Sequence, residues 1–341
     1  MSTCFAAKLL AHYDANARTL PWRSPPGAPP PDPYRVWLSE IMLQQTTVAA
    51  AIPYFNTFIT RWPSVAALAA ADDTAVMAAW AGLGYYARAR NLIKCARVVA
   101  LEYGGVFPAD EAALRALPGI GAYTAAAMAA IAFGARAVVV DGNVKRVMAR
   151  VHAIETPLSQ AEVQLHAHAT AATPHGRPGD YAQALMDLGA TLCTPRAPKC
   201  GQCPVARACK GRADPTRYPV HAPKAPRPER RETAWWIEVG GHVLLVERPT
   251  NGLLGGMRAL PVGDAPPMIA DWRGVDWQNM GNVRHIFTHF SLDLAVQRAM
   301  LLARPAPENF HAGLWWPVAK IETAGLPSLF AKAARCAMAA S

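Results

Sequence analysis

Cys193, Cys200, Cys203 and Cys209 fall within seventeen residues in the pattern C-x6-C-x2-C-x5-C. Four thiolates at uneven spacing can hold a [4Fe–4S] cluster. A structural zinc site is the second reading, although it more often shows two short C-x2–4-C pairs and only Cys200/Cys203 makes one. Unligated thiols are the third. The spacing predicts an iron–sulfur loop over residues 193–209.

A carboxyl supplies the second piece of chemistry. In Tyr34–Thr47, helical spacing puts Glu40 on one face with Val36 and Leu43. A desolvated carboxyl on an apolar stripe has a raised pKa and can donate a proton. A Glu at the rim of a core, reaching for water, is the structural alternative. Gln44 and Gln45 close the same segment, placed to reach base edges or simply solvated. Further on, Leu117-Pro118-Gly119-Ile120-Gly121-Ala122-Tyr123 reads as a tight turn between two helices. Its glycines, Gly119 and Gly121, expose backbone N–H groups that suit a phosphate. Any corner between helices also favours Pro and Gly. The apolar run Ala137–Val140 then ends in Asp141-Gly142-Asn143-Val144-Lys145-Arg146. Asp141 is placed to cap a helix, accepting N–H bonds that hold it ionised, whether or not it does chemistry.

These residues need a frame. Residues 1–20 read as an amphipathic helix stopped by Pro21, followed by a proline-dense loop from Ser24 to Pro33. From Tyr34 to about Leu192, apolar residues recur at three- and four-residue steps between Pro and Gly breaks, predicting about ten helices. The stretch 213–232 is rich in Pro and Arg and reads as extended. Beyond it, Thr233–Val239 and His242–Glu247 flank Gly240-Gly241 as a hairpin. Further strands are expected near 258–262, 284–296 and 314–319, with a helix near 325–340. No internal repeat is present. The expected domains are therefore 1–212, helical with the cysteine loop; 213–232, a connector; and 233–341, a small α+β domain.

The chain has 341 residues, natural for two domains, and 52% of them are hydrophobic, enough for packed cores. No run approaches the ~18 apolar residues of a membrane span. The N-terminus lacks the basic-then-apolar order of a secretory signal. Seven cysteines, four of them clustered, point to a reducing compartment rather than a disulfide framework. A cytoplasmic, DNA-associated location is expected. Net charge is +10, and residues 233–341 carry nine Lys/Arg against eight Asp/Glu, which leaves +9 on residues 1–232. That balance suits a polyanion such as DNA.

A raised-pKa Glu, a phosphate-gripping hairpin, an ionised Asp and a downstream cysteine loop, in this order, resemble the helix-hairpin-helix DNA glycosylases. Over nearly its whole length the chain resembles the adenine-specific mismatch DNA glycosylases, the MutY family. The matching pieces are Leu20-Pro21-Trp22-Arg23, Ser39–Thr46, Gly82-Leu83-Gly84-Tyr85-Tyr86, the hairpin, Asp141–Arg146, the cysteine spacing and Phe287-Thr288-His289-Phe290. The resemblance implies a mostly α helix-hairpin-helix domain with a [4Fe–4S] loop, joined to an α+β Nudix-like domain. It implies a monomer acting on duplex DNA that carries adenine opposite 8-oxoguanine or guanine, hydrolysing the N-glycosidic bond to leave an abasic site.

Carried over residue by residue, Glu40 would protonate adenine N7 and Asp141 would stabilise the sugar cation or attack it. Tyr123 and Asn143 would orient these groups. Trp22, Arg23, Leu43 and Gln183 would form the adenine pocket, and Gln45 and Tyr85 would wedge into the duplex. Lys145 would meet a phosphate, or trap an abasic site as a side reaction. Phe287, Thr288 and His289 would read 8-oxoguanine, with Thr288 standing where many relatives carry Ser. Relatives of the endonuclease III type carry a lysine at the position of Tyr123, so a monofunctional enzyme is expected here. Arg258-Ala259 departs from the family's usual Trp-Glu. No R-E-x-x-E-E run follows residue 233, so no pyrophosphohydrolase activity is expected. Rival readings are a bifunctional pyrimidine glycosylase/lyase, a non-catalytic DNA-binding iron–sulfur protein, and a Nudix hydrolase with a DNA-binding appendage.

Overall fold

The computed structural model describes residues 2–223, 226–249, 252–267, 274–287, 289–304 and 313–339. The chain divides into two compact units, Met1–Asp72 with Asn91–Lys224, and Asp73–Arg90 with Ala225–Ser341. Among the described residues, no helix is long and apolar enough to cross a membrane.

The first helix, α1 (Ser2–Asn16), ends short of the expected Leu20. Pro21 disfavours helical backbone at Leu20, and the Arg18 N–H is drawn instead to the Asp187 carboxylate. The expected run of about ten helices follows. It comprises α2 (Pro33–Leu43), α3 (Val48–Arg61), α4 (Val65–Ala69), α5 (Asp73–Trp80), α6 (Ala87–Glu102), α7 (Glu111–Ala116), α8 (Ala122–Phe133), α9 (Gly142–His152), α10 (Glu162–Ala172) and α11 (Pro178–Asp187). Side-chain caps start several of them: Asp32 for α2, Thr47 for α3, Ser64 for α4, Asp110 for α7 and Asp141 for α9. Each satisfies a backbone N–H that the helix itself leaves unpaired. Leu9, Val147, Met148, Leu165 and Leu185 form a core shared by α1, α9, α10 and α11.

Helix α8 is central to this unit: Thr124–Ala132 is buried throughout, and α8 packs against α2, α7 and α11. Its alanines permit unusually close neighbours. A Cβ at Gly179 on α11 would stand 2.5 Å from the Ala130 carbonyl oxygen. Gly179→Ala is therefore expected to destabilise the full chain by about 2 kcal/mol, the ordinary cost of overpacking. Thermal unfolding checks this, and a parental midpoint would mean that α8 and α11 separate freely.

The second unit is built on a mixed sheet. Its strands are β1 (Glu229–Val239), β2 (His242–Glu247), β3 (Arg258–Ala259), β4 (Gln278–Ile286), β5 (Ser291–Met300) and β6 (Gly313–Pro317). The order is β3-β2-β1-β5-β4, with β6 also pairing β2. β1 runs parallel to β5, and the β1–β2 hairpin turns at Gly240-Gly241. Helix α12 (Ser328–Met338) lays Phe330, Ala333 and Ala337 onto Trp236, Leu245 and Leu294. The single strand expected near 284–296 is two strands. The Phe287–Phe290 corner, closed by Phe287 N–H donating to the Phe290 carbonyl at 2.9 Å, folds β4 back onto β5.

The expected [4Fe–4S] loop is overturned. Among the described residues, no group of three or more His, Cys, Asp or Glu side chains is placed to hold a metal ion. Cys193, Cys200, Cys203 and Cys209 do border one apolar cavity, but they do not converge as a ligand set. The loop is fastened by a buried cation instead. Arg150, 1% exposed, donates to the carbonyls of Tyr218 (3.0 Å), Cys193 (3.1 Å), Thr194 (2.8 Å) and Pro195 (3.0 Å). Its own carbonyl accepts from Cys209 Sγ at 3.4 Å. Burial pushes the Cys203 thiol up and the Cys209 thiol to about 11. The architecture is a helical unit and a separate Nudix-like β unit, with no metal-binding group among the described residues.

Candidate active site

The helical unit encloses a cavity of about 720 Å³, within the range of small-molecule sites. Five stretches, spread along the helical unit, build its wall. The loop before α2 contributes Arg18, Trp22 and Arg23, and α2 with its C-terminal turn contributes Glu40, Leu43 and Gln45. The start of α8 contributes Gly121 and Tyr123, and the start of α9 contributes Asp141, Asn143 and Lys145. Gln183 and Met186 on α11 complete it.

Glu40 is 6% exposed, consistent with its place on the apolar face of α2. Burial pushes its carboxyl up to about 7. The hydrogen bond from Tyr123 and the charge of Arg23 pull the other way, while the charge of Asp141 adds to the rise. The Tyr123 hydroxyl donates to Glu40 Oε2 at 2.7 Å. Burial, then the Glu40 charge, hold the phenol well above its ordinary range, so Tyr123 is a fixed donor.

Asp141 caps α9, accepting from the Val144 N–H at 2.6 Å and from Asn143 Nδ2 at 2.9 Å. Asn143 is fixed in turn, because Arg146 donates to its Oδ1 at 2.9 Å and to the Gly189 carbonyl at 2.7 Å. Gly189 permits this contact, since a Cβ there would lie 2.6 Å from Asn143 Cβ. A protonatable carboxyl and a held carboxylate thus share one cavity. Together they can donate a proton to a leaving group and stabilise a cation.

Of the residues singled out from sequence, Trp22, Arg23, Glu40, Leu43, Gln45, Gly121, Tyr123, Asp141, Asn143, Lys145 and Gln183 meet at this cavity. Gly119 does not line it. It makes the turn before α8 with φ of +76°, and a Cβ there would stand 2.6 Å from Asn91 Cβ. Tyr85, Phe287 and His289 belong to the other unit, and Thr288 lies outside the described residues. Gln45 (φ +58°) and Tyr85 (φ +49°) both adopt left-handed backbone, strain that collects at functional positions. Phe287 meets the rings of His285 (4.6 Å) and Phe290 (4.8 Å) at tilted angles, and Arg230 lies 4.2 Å over the Phe290 ring. Lys145 is paired with Glu162.

Two residues escaped the sequence reading, Arg18 and Asp187. The available signal was an acid in the apolar run Ala182–Leu188, one turn after Gln183.

Residues 38–170 match the model of the HhH-GPD superfamily base excision DNA repair proteins, and residues 233–335 match a NUDIX domain. The adenine DNA glycosylase of Homo sapiens is 34% identical over 92% of this chain and 70% of its own length. That of Mus musculus is 35% identical over 92% of this chain and 74% of its own. A solved thermostable thymine-DNA glycosylase superposes with a TM-score of 0.55 at 29% identity, covering 62% of this chain and 96% of its own. An endonuclease III–DNA covalent intermediate superposes at 0.53 with 20% identity, covering 62% and 96%, which speaks for the fold alone. With relatives of this identity aligned along nine-tenths of its length, the chain belongs to the adenine DNA glycosylase family.

Proposed function

We propose that excision proceeds by protonation at Glu40 and charge stabilisation at Asp141. The chain is a base-excision DNA glycosylase specific for adenine, and its product is an abasic site. The observation that carries the proposed roles is the pairing in one cavity of a carboxyl raised to about 7 with an N-capping carboxylate.

Adenine must leave the duplex stack to be reached, at a cost of a few kcal/mol. Trp22, Arg23, Leu43 and Gln183 are proposed to receive it. Glu40, held by Tyr123, gives its proton to N7, which makes the base a competent leaving group. As the glycosidic bond breaks, the sugar becomes oxocarbenium-like. Asp141, fixed by Asn143 and the α9 N-terminus, stabilises that charge until water adds. Gln45 and Tyr85 are proposed to wedge into the DNA; their left-handed backbone supports that reading, because such strain is retained where a side chain must be presented. Gly119 and Gly121 are proposed to present N–H groups to a phosphate, with Lys145 as a further phosphate contact.

The preferred substrate is proposed to be adenine opposite 8-oxoguanine or guanine, engaged by a monomer. On this reading residues 1–212 catalyse, 213–232 connect, and 233–341 read the damaged base through Phe287, Thr288 and His289. Strand cleavage is not expected. A lyase needs an amine beside the scissile sugar, and Tyr123 offers none there.

The test is single-turnover excision on an end-labelled duplex with adenine opposite 8-oxoguanine, run with and without hot alkali. A duplex containing an oxidised pyrimidine runs beside it. Breaks at adenine only after alkali are expected. Breaks without alkali, or at the pyrimidine, would move the chain to the lyase branch.

A further inference from the structure

Asp187 ends α11 behind the cavity and is 7% exposed. A buried carboxylate is costly unless it is paired. Arg23 binds Asp187 with both arms, Nη1 to Oδ2 at 2.8 Å and Nη2 to Oδ1 at 3.0 Å. Arg18 adds Nε to Oδ1 at 2.6 Å and its backbone N–H to Oδ2 at 3.3 Å. Burial pushes the Asp187 carboxyl up, but the two guanidinium groups outweigh it and hold it below its ordinary value, so it is ionised. Arg18 and Arg23 line the cavity, whereas Asp187 stands behind them. Arg23 therefore has Asp187 on one side and the cavity of Glu40 on the other.

A positive charge beside Glu40 favours its ionised form, which has no proton to give. Resting on the reading of Glu40 as the proton donor, we propose that Asp187 is a positioning residue for excision. Its carboxylate clamps the Arg23 guanidinium in one orientation and offsets its charge, making the wall toward Glu40 less positive than a lone guanidinium would. Arg18 competes for the same carboxylate and sets how much of that offset Arg23 receives. The other charged or titratable groups at the cavity are Tyr123 from α8 and Asp141 and Lys145 from the start of α9. None of them bonds to Asp187. Tyr13 on α1 also faces the ion cluster and feels the charges of Arg23, Asp187, Asp180 and Arg177, but burial pushes its phenol up to about 12, so it stays protonated across the profile.

The experiment is the pH profile of single-turnover adenine excision for the full-length parent, Asp187→Asn and Arg18→Gln. In Asp187→Asn the alkaline limb should move down by ~0.5–1 pH unit, with about a fivefold lower rate at pH 7.5, because Arg23 is left uncompensated. In Arg18→Gln the limb should move up, because Asp187 then serves Arg23 alone. Opposite displacements are the signature. Limbs that stay in place while amplitude or melting temperature falls, or that move together, would overturn the proposal and leave Asp187 structural. If Asp187→Asn does not fold, Arg18→Gln decides: an upward limb supports the proposal, and a fixed or lowered one refutes it. Glu40→Gln, run alongside, separates the two claims. Parental excision by that variant refutes the donor reading itself. An inactive Glu40→Gln beside unshifted cluster variants refutes only the role of Asp187.

Discussion

Glu40→Gln lowers the single-turnover rate of adenine excision by roughly 10³-fold, within the usual range for loss of a general acid. Duplex binding survives, because the amide keeps the shape of the side chain and still accepts from Tyr123. The same variant should be more stable than the parent at alkaline pH. The Glu40 carboxyl stands at about 7 in the fold, above its ordinary value of 4.5. The fold therefore favours the protonated form, and stability is lost as pH rises through about 7. Glutamine has no such ionisation. The gain is on the order of 2 kcal/mol at pH 8 and small at pH 5. Parental excision, or a melting advantage independent of pH, would sink the assignment.

Asp141→Asn is the second large effect. Asparagine caps helices about as well as aspartate, so the first turn of α9 and the Val144 N–H contact persist. What disappears is the negative charge facing the cavity. Excision should fall by about 10²-fold or more, the scale measured when a preorganised electrostatic partner is removed. Thermal stability should change little, whereas Asp141→Ala should also cost about 1 kcal/mol through the lost cap. An Asn variant with full activity would reduce Asp141 to a cap and require another stabiliser of the sugar cation.

Much of the cavity wall was readable in the sequence. Glu40 was legible because a charged residue interrupts an apolar helical stripe, and Asp141 because an acid follows an apolar run and precedes a helix. Tyr123 was visible only through its place in the hairpin; nothing in its spacing pointed to Glu40, 83 positions away. Asp187 was missed because its partners, Arg18 and Arg23, come from the other end of the helical unit, and one sequence carries no signal of such pairing. The helical run was legible from period and punctuation. The assignment of Asp73–Arg90 to the sheet-containing unit was not, because a helix shows which face it buries without showing against what. The β4–β5 corner was hidden because Phe287–Phe290 contains no Gly, Pro, Asn or Asp to mark a turn. The cysteine loop misled for a related reason: spacing fixes which thiols are neighbours along the chain but leaves open whether their sulfurs converge. Arg150, which holds that loop, lies 43 residues before its first cysteine.

The wall of the cavity draws on residues from Arg18 to Ala190, so nearly the whole helical unit must be in place before the proton donor and the anion face each other. Sites assembled from such distant stretches form late, when long-range contacts have closed. A nascent or partly unfolded chain can therefore sample turns of α2 or α9 only transiently, without possessing any capacity to cut a glycosidic bond. Competence to remove a base arrives with cooperative folding and leaves with it, a safeguard for a protein whose misplaced activity would itself damage the genome.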